Sequence, residues 1–420
     1  MYPEPKVDLS VDFCGVSFVH PFILAAAPPT DDLDMIRDAF RAGWAGAVLK
    51  TTSMEKTPVD LAYPMMSGLD YGNERLVGMG NIDLISEHHI DVVEERIAAL
   101  KSEFADRRVI VSISGQDKDD WQGVARRVQD AGADVIECSF SCPQGTMGLK
   151  PGAMLGQDPI ASARVTGWIK EAAGTTPVVI KLTPQVNDIA EIAAAVKGAG
   201  ADGVCVGNTL PALMGVDSNT WIPIPNVDGK SAYSGLSGMA IKPISLRCVA
   251  QVARETGLPI AGSGGATTWR DALEFLLLGA NVVQFCTAVM RYGADIVEDL
   301  IEGLSFHLMR RGRGSVREII GASLDFIVPH EQLPRDKKWR PDIDKDRCVK
   351  CDACVIACRD GGHRAITVDP ERLPVIDDEK CVGCALCQVM CPVSCIVMAE
   401  RRPEEKAVEK QESEAETKSI

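Results

Sequence analysis

The chain has 420 residues, enough for two or three domains of ordinary size. Hydrophobic residues make up 46% and charged residues 25%, which is the balance of folded globular proteins and excludes general disorder. The 44 basic and 59 acidic side chains leave a net charge of −15. Such a charge repels the phosphates of nucleic acids and anionic membrane surfaces, and it argues against both as partners.

Targeting signals and cysteines both bear on the cellular compartment of the protein. No apolar run approaches the ~18 residues of a membrane span, and the first ten residues lack the basic and apolar regions of a signal peptide. We therefore expect a cytoplasmic protein without membrane insertion. Of its fifteen cysteines, nine lie between Cys348 and Cys395. A local cluster of reduced thiols indicates metal binding rather than disulfides.

Short apolar segments alternate with helical segments through the first 290 residues. Segments such as 31–43 and 188–200 have apolar residues at helical spacing and end in glycine, a frequent residue after a helix. Eight buried strands between helices predict a parallel sheet of the α/β class, and eight strands close a (β/α)₈ barrel, the TIM barrel. The predicted strands are 22–27, 46–50, 109–114, 134–138, 178–182, 203–207, 259–263 and 282–286.

An open doubly wound sheet is the alternative to the barrel. An open sheet of this size usually carries a nucleotide-binding turn. Residues 78–83 begin like a dinucleotide fingerprint but have Asp83 in place of its third glycine, and no Gly-Lys phosphate loop occurs. The sequence therefore favours the barrel.

The periodic pattern stops near Ile327, which predicts further segments after the barrel. We expect a barrel at 1–326, a polar linker with prolines at 327–341, and a compact cysteine-rich module at 342–400. Residues 401–420 lack a core-forming face and are expected to be a disordered tail.

Two cysteine runs have the spacing of a bacterial two-cluster ferredoxin, a small α+β domain. Three thiolates of each run bind one 4Fe–4S cluster, and the fourth cysteine binds the other cluster. Structural zinc sites are the alternative, but they normally divide their ligands two and two across a longer loop. Cys395 is a ninth thiol, expected to be a small buried residue. One cluster is assigned to Cys348, Cys351, Cys354 and Cys391, and the other to Cys381, Cys384, Cys387 and Cys358.

A barrel joined to one-electron carriers needs a redox centre that converts one-electron steps into two-electron chemistry, and a flavin does this. Active sites in this fold lie at the carboxyl ends of the strands, with phosphate held after strands seven and eight. Gly264 and Gly265 follow the predicted seventh strand, and Cys286 and Thr287 follow the eighth. Backbone N–H groups there can reach a phosphate.

At these residues the chain resembles the dihydroorotate dehydrogenase and dihydropyrimidine dehydrogenase family, specifically bacterial subunits with a C-terminal ferredoxin domain. The resemblance covers about 1–400. It is carried by LKTTS (49–53), GNIDLISE (80–87), IECSFSCPQG (136–145), YSGLSGMAIKPISLR (233–247) and the cysteine runs.

The resemblance implies FMN over the barrel mouth. Ala26 and Ala27 would lie against it, and Lys50 and Lys181 would hold its isoalloxazine and ribityl oxygens. A surface salt bridge is the alternative for each lysine, but a lysine at the end of an apolar barrel strand is costly without an anionic partner. The phosphate side would be formed by Gly235, Gly264, Gly265, Cys286 and Thr287.

The resemblance also assigns catalysis to Cys142. In the family the matching cysteine protonates one substrate carbon while N5 of the reduced flavin gives hydride to its neighbour. A thiol with a pKa of about 8.5 is a serviceable acid near neutrality. The loop 143–157 has the composition and length of a lid over it. A buried inert cysteine is the alternative, and it is the interpretation adopted for Cys14, Cys205 and Cys248.

Four residues match family positions that hydrogen-bond the amide edge of a pyrimidine. They are Asn81, Asp83, Asn208 and Thr209. Asn208 and Thr209 could instead cap a helix after strand six.

Ser139 departs from the pyrimidine pattern, because relatives that reduce pyrimidines have Asn there. Asp83 and Gln144 stand where the mammalian enzyme has Glu and His. A buried polar edge left unpaired by Ser139 costs about 1–3 kcal/mol.

These observations predict an FMN and iron–sulfur oxidoreductase that reduces an activated C=C bond, first of all C5=C6 of uracil or thymine to the 5,6-dihydropyrimidine. One alternative keeps this chemistry on a conjugated amide, acid or thioester. Another is an electron-transfer flavin and iron–sulfur subunit of a larger complex. The chain lacks a dinucleotide-binding turn, whereas the family draws electrons from NAD(P)H. We therefore expect a hetero-oligomer with a partner subunit that binds FAD and NAD(P).

Overall fold

The computed structural model describes residues 7–54, 61–71, 73–140 and 155–401. The chain divides into two compact units, one ending at Ile327 and the other beginning at Val328. Within the described residues, no helix combines the length and apolar character required to span a bilayer.

Eight parallel strands of the first unit close into a barrel in chain order. The eighth strand pairs with the first through Val283 and Phe22, which completes the ring. The predicted TIM barrel is therefore confirmed, and each of the eight predicted strands is present. The first to eighth barrel strands are Phe22–Leu24, Gly46–Thr52, Arg108–Ile113, Val135–Ser139, Val178–Leu182, Gly203–Val206, Ile260–Ser263 and Val282–Phe285.

Helices connect the strands, and their starts follow from the sequence. An aspartate precedes four of them and accepts backbone N–H groups of the first turn, as at Asp32 and Asp188. Gly43 ends the first helix with a φ of 122°, a region that favours glycine. The helices of this unit are Leu33–Ala42, Ile90–Glu103, Lys118–Asp130, Pro159–Ala172, Ile189–Gly198, Lys242–Thr256, Trp269–Leu277, Thr287–Tyr292 and Ile296–Arg310.

The core lies inside and around the barrel. Every residue of the fourth and fifth barrel strands is buried, because helices cover the outer face and the other strands fill the inner one. An antiparallel hairpin, Val11–Phe13 with Val16–Phe18, precedes the first barrel strand and adds buried Phe13 and Phe18.

A four-stranded antiparallel sheet is formed by segments that follow the second and sixth barrel strands, and it therefore belongs to the carboxyl end of the barrel. We call it the mouth sheet. The sequence analysis did not predict it. The helix after the sixth barrel strand begins at Lys242, so the idea that Asn208 and Thr209 cap that helix is wrong. Its strands are Met66–Tyr71, Glu74–Asn81, Leu210–Ala212 and Ser234–Ser237.

The second unit is a small α+β ferredoxin-like domain, as predicted. Trp339–Ile343 pairs with Ile396–Glu400, and Ile366–Val368 pairs with Pro374–Ile376. The first of these strands begins within the segment predicted as a linker. Residues 402–420, predicted as a tail, lie outside the described residues. Its helices are Ala353–Gly361 and Leu386–Val389.

His20 ties the start of the first barrel strand to the first helix. Its Nε2 donates to Gly43 O at 2.9 Å, and its Nδ1 accepts from Phe22 N at 3.2 Å. Burial lowers the pKa of His20 to about 4. Because histidine in the unfolded chain titrates near a pKa of about 6.5, only the unfolded state gains a proton just below that pH. The barrel is therefore most stable above pH ~6.5 and loses stability as the pH falls towards ~4.

We expect His20→Gln to remove this pH dependence. Between pH 7 and 4.5 the wild-type chain should lose about 2–3 kcal/mol more unfolding free energy than the variant. Denaturant unfolding followed by the fluorescence of buried Trp44 and Trp121 measures this. Exposed His330→Gln is the control and should keep the wild-type pH dependence. Equal losses of unfolding free energy in wild type and His20→Gln would show that His20 does not cause the pH dependence.

Candidate active site and cluster-binding cavities

A cavity of about 780 Å³ opens between the carboxyl ends of the barrel strands and the mouth sheet. Pockets of this size hold cofactors and small substrates. Most residues singled out from the sequence lie on its wall. They are Ala26, Ala27, Lys50, Asn81, Asp83, Ser139, Lys181, Asn208, Thr209, Gly235 and Cys286. Cys142 and Gln144 lie outside the described residues, as does most of the predicted lid at 143–157.

Lys181, on the fifth barrel strand, points at a buried carboxylate. Its Nζ lies 3.3 Å from Oε1 of Glu137, a residue of the fourth strand. Gln284 Nε2 donates to Glu137 Oε2 at 2.6 Å, and Cys205 Sγ donates to Gln284 Oε1 at 3.4 Å. Four barrel strands thus contribute one side chain each to a network of hydrogen bonds and one ion pair inside the barrel. Cys205, interpreted from the sequence as inert, is part of this network.

This network keeps a positive charge at the cavity. Burial is the largest influence on Lys181 and disfavours its ammonium form, but the neighbouring groups, first of all the Glu137 carboxylate, together outweigh it, and the pKa of Lys181 lies above its ordinary value. Burial also raises the pKa of Cys286 to about 11, against the opposing charge of Lys181. At neutral pH the cavity wall therefore carries a cationic Lys181 and a neutral Cys286 thiol.

Lys50, on the second barrel strand, lies between two carboxylates. Its Nζ is 2.6 Å from Asp83 Oδ2 and 3.5 Å from Asp31 Oδ2. Ser86 Oγ donates a hydrogen bond of 2.5 Å to Asp31 Oδ1, and Arg96 Nη1 lies 3.6 Å from the same oxygen. The side chains of Lys50 and Asp83 are only 8% and 2% exposed. Asp83 was predicted to contact the substrate, and the structure places it in a buried ion pair with Lys50.

Both lysines already have carboxylate partners within the protein. Neither lysine therefore needs an anionic ligand to balance its charge. Sequence reasoning missed Glu137, Gln284 and Asp31. The available signal was a charged or amide residue inside an apolar strand, such as Glu137 in DVIEC and Gln284 in VVQFC, since such residues are rarely buried without a partner.

Of the residues predicted for the phosphate, Gly235 and Cys286 line the cavity, whereas Gly264, Gly265 and Thr287 do not. Gly264 and Gly265 have φ values of 110° and 93°, and a Cβ on Gly265 would approach Gly238 O to 2.9 Å, so glycine is required there. Thr287 Oγ1 hydrogen-bonds Ser237 Oγ at 2.8 Å, and Ser237 lies on the wall. Among the described residues, no backbone hydrogen bond uses the N–H of either glycine.

The wall suits a flavin nucleotide. Ser234 Oγ is buried on it without a hydrogen-bond partner in the part of the chain that is described. Such an unpaired hydroxyl costs about 1–3 kcal/mol and favours a polar ligand. Lys50 and Lys181 add positive charge, and the alanines add a small apolar surface. These are the donors and contacts that an anionic, oxygen-rich cofactor with a flat ring needs.

The predicted substrate residues share this wall. Asn81 Oδ1 accepts from Asp83 N at 2.6 Å, and Asn208 Oδ1 accepts from Thr209 N at 2.8 Å, so local turns orient both amides. Ser139 ends the fourth strand and pairs in register with Lys181. Its short hydroxyl leaves room where a longer amide would extend.

The second unit contains two cavities, and each is lined by one predicted ligand set. In each set the fourth cysteine comes from the other run, as crossed cluster ligation requires. In the described residues, no three His, Cys, Asp or Glu side chains are arranged to hold a single metal ion. One cavity is lined by Cys348, Cys351, Cys354 and Cys391 together with Cys395. The other is lined by Cys358, Cys381, Cys384 and Cys387.

A closed parallel barrel with a cationic, flavin-compatible mouth, followed by two four-cysteine cavities, defines an iron–sulfur flavoprotein oxidoreductase. Comparison with known families gives the same result. Residues 8–308 match the dihydroorotate dehydrogenase family, and residues 341–398 match a 4Fe–4S dicluster domain. The dicluster match rules out the zinc interpretation of the cysteine runs.

Individual relatives cover most of the chain. It is 42% identical over 400 residues to the NAD-dependent dihydropyrimidine dehydrogenase subunit PreA of Escherichia coli (strain K12), covering 94% of this chain and 96% of the relative. It is 33% identical over 347 residues to the chloroplastic dihydropyrimidine dehydrogenase (NADP(+)) of Arabidopsis thaliana, covering 80% and 81%. It is 35% identical over 316 residues to the catalytic subunit of dihydroorotate dehydrogenase B (NAD(+)) of Pyrococcus abyssi, covering 75% and 99%.

The chain therefore belongs to the dihydroorotate dehydrogenase family. It is an oxidoreductase that acts on CH–CH bonds and uses flavin and iron–sulfur cofactors. The resemblance noted in the sequence is confirmed.

We expect Glu137→Gln to destabilise the barrel, because it leaves the Lys181 ammonium buried without its carboxylate. Breaking a buried pair from one side costs about 3–5 kcal/mol. The double variant Glu137→Gln with Lys181→Met removes both charges and should recover most of this loss. Urea unfolding of the variants at pH 7 measures the difference.

The control is Asp38→Asn, which breaks the exposed pair of Asp38 with Arg41 and should cost less than about 1 kcal/mol. If the Glu137 single variant and the double variant were equally unstable, the charge balance would not be what stabilises this part of the barrel.

Proposed function

We propose that this chain is the catalytic subunit of a dihydropyrimidine dehydrogenase that adds two hydrogens across C5=C6 of uracil or thymine. The observation that carries the proposal is the shared cavity wall, on which two cationic lysines, two oriented amides and the end of the fourth strand meet. Two relatives named dihydropyrimidine dehydrogenase, at 42% and 33% identity, support the choice of substrate.

The barrel mouth would hold FMN. When bound, FMN exchanges single electrons with the clusters and gives two electrons to the substrate as hydride. Lys50 and Lys181 would donate to the isoalloxazine and ribityl oxygens, and Ala26 and Ala27 would pack against the ring. The phosphate would lie near Gly235, Gly264, Gly265, Cys286 and Thr287. Because Glu137 and Asp83 hold the lysines in place, their donors are oriented before the cofactor binds.

Cys142 would supply the proton. The fourth barrel strand ends on the cavity wall at Ser139, three residues before Cys142 in the sequence. A thiol with an ordinary pKa of about 8.5 is protonated at neutral pH, and it is acidic enough to transfer that proton to a carbon that develops negative charge.

Asn81, Asn208 and Thr209 would bind the amide edge of the pyrimidine, since an amide side chain offers a donor and an acceptor together. Asp83 would act mainly through Lys50, its partner at 2.6 Å. Ser139 offers a single hydroxyl where one paired contact to uracil is expected.

The second candidate keeps the reaction but changes the substrate to a larger conjugated amide, acid or thioester. The observation that favours it is the apolar part of the wall, which includes Met66, Leu213 and Tyr233. Such a substrate would need fewer paired polar contacts than a pyrimidine.

Electrons would enter through the clusters bound by the two cysteine sets. The fingerprint-like residues 78–83 mostly belong to the strand Glu74–Asn81 of the mouth sheet, not to a turn between a strand and a helix. This supports a separate subunit that binds FAD and NAD(P). The proposed hetero-oligomer would be located in the cytoplasm.

The isolated holo-chain should reduce uracil with dithionite-reduced viologen but not with NADH or NADPH, because its sequence has no dinucleotide-binding turn. Dihydrouracil formed under anaerobic conditions is the measured product. Photoreduced flavin in the same chain serves as a control that the barrel itself is competent. Efficient turnover with NADH by the pure chain would refute the partner subunit.

Ser139→Asn should raise kcat/KM for uracil about ten- to hundredfold if uracil is the substrate, because it restores a paired contact worth about 1–3 kcal/mol. Ser139→Ala is the matched control and should lower the value or leave it unchanged. If Ser139→Asn abolished the native activity while uracil stayed inert, the larger substrate of the second candidate would be correct.

A further inference from the structure

The two halves of the iron–sulfur unit repeat the same local structure after the fourth cysteine of each run. In one half, Ala365 N donates a hydrogen bond of 3.3 Å to Cys358 Sγ. In the other half, Cys395 N donates a hydrogen bond of 3.4 Å to Cys391 Sγ. Each of the two fourth cysteines therefore receives one backbone donor from an equivalent position.

Further contacts repeat in the same way. Ala365 O accepts from Asp377 N at 2.7 Å, and Cys395 O accepts from Asp344 N at 2.9 Å. Both aspartates lie four residues before the first cysteine of a run. Each of the two positions also precedes an isoleucine that opens a strand, at Ile366 and Ile396. Ala365 and Cys395 are thus structural equivalents that differ by one sulfur atom.

That sulfur atom faces one of the two cavities. Cys395 is 4% exposed, and its Sγ lies 3.5 Å from Cys391 Sγ. It lines the same cavity as Cys348, Cys351 and Cys354. Ala365 is also buried and lines the other cavity, where it brings only a methyl group. One cavity therefore has an additional side-chain donor that the other lacks.

We propose that the Cys395 thiol donates a hydrogen bond to the Cys391 sulfur and raises the reduction potential of the cluster held by Cys348, Cys351, Cys354 and Cys391. This inference rests on the ligand sets given above. Reduction adds one negative charge, which spreads over the cluster and its thiolates. A hydrogen bond to a ligand sulfur stabilises the reduced state more than the oxidised state, so the potential rises. A thiol S–H is a weak hydrogen-bond donor, and the Sγ of Cys395 lies 3.5 Å from the Sγ of Cys391.

The consequence is that two clusters with the same ligands have different potentials. The position equivalent to Cys395 in the second half gives its cluster only the backbone donor of Ala365. The cluster with Cys395 is therefore the better electron acceptor of the two.

The experiment is an anaerobic redox titration of the holo-chain followed by electron paramagnetic resonance, with iron and flavin content measured on the same samples. Cys395→Ala converts the position to the Ala365 arrangement. It should lower the potential of one cluster by about 59 mV, which is a tenfold change in the reduction equilibrium of a one-electron couple. The potential of the other cluster should not change. Cys395→Ser keeps a donor and should lie between wild type and Cys395→Ala.

Ala365→Ser is the matched gain-of-donor variant and should raise the potential of the other cluster alone. Unchanged potentials in Cys395→Ala, with full iron content, would overturn the proposal. Loss of iron from both Cys395 variants would also overturn it, because the residue would then hold the site together rather than tune it. A wild-type chain without two clusters would instead refute the ligand sets and the proposed function.

Discussion

Two ammonium groups are buried at the mouth of the barrel, and the site depends on the carboxylates that balance them. Lys181 is held by Glu137, and Lys50 is held by Asp83 and Asp31. Without Glu137, burial would shift Lys181 towards its neutral amine, and the mouth would lose this positive charge. The Lys181–Glu137 pair joins two barrel strands, so it forms only when the barrel is correctly assembled.

The two units supply complementary parts of one redox function. The barrel offers a cavity of about 780 Å³ with cationic and amide donors, which suits a two-electron cofactor beside a small substrate. The ferredoxin-like unit offers two thiol-lined cavities, which suit one-electron carriers. In that unit the repeated backbone gives each fourth cysteine one backbone donor, and Cys395 adds a side-chain donor at only one of them. The proposed difference in potential therefore arises from a side chain and not from the fold.

The sequence predicted most of the fold because the signals were local. Eight apolar segments alternating with helical ones specified the barrel, and cysteine spacing predicted which thiols share a cavity. The mouth sheet was missed because its strands pair residues as distant as Asn81 and Gly235. The partners of the lysines were missed for a similar reason. Lys181 and its partner Glu137 lie on different strands, and Gln284, which hydrogen-bonds Glu137, is 147 positions away from it.

The most direct test of the account is an anaerobic titration of the reduced holo-chain with uracil, followed by flavin absorbance and product analysis. The account predicts that uracil reoxidises the flavin and that one dihydrouracil forms for every two electrons lost by the flavin and the clusters together. If the flavin stayed reduced in the presence of uracil and thymine but was reoxidised by a conjugated acid or thioester, the pyrimidine assignment would be contradicted. If no small conjugated substrate reoxidised it, the barrel would not be the site of substrate reduction.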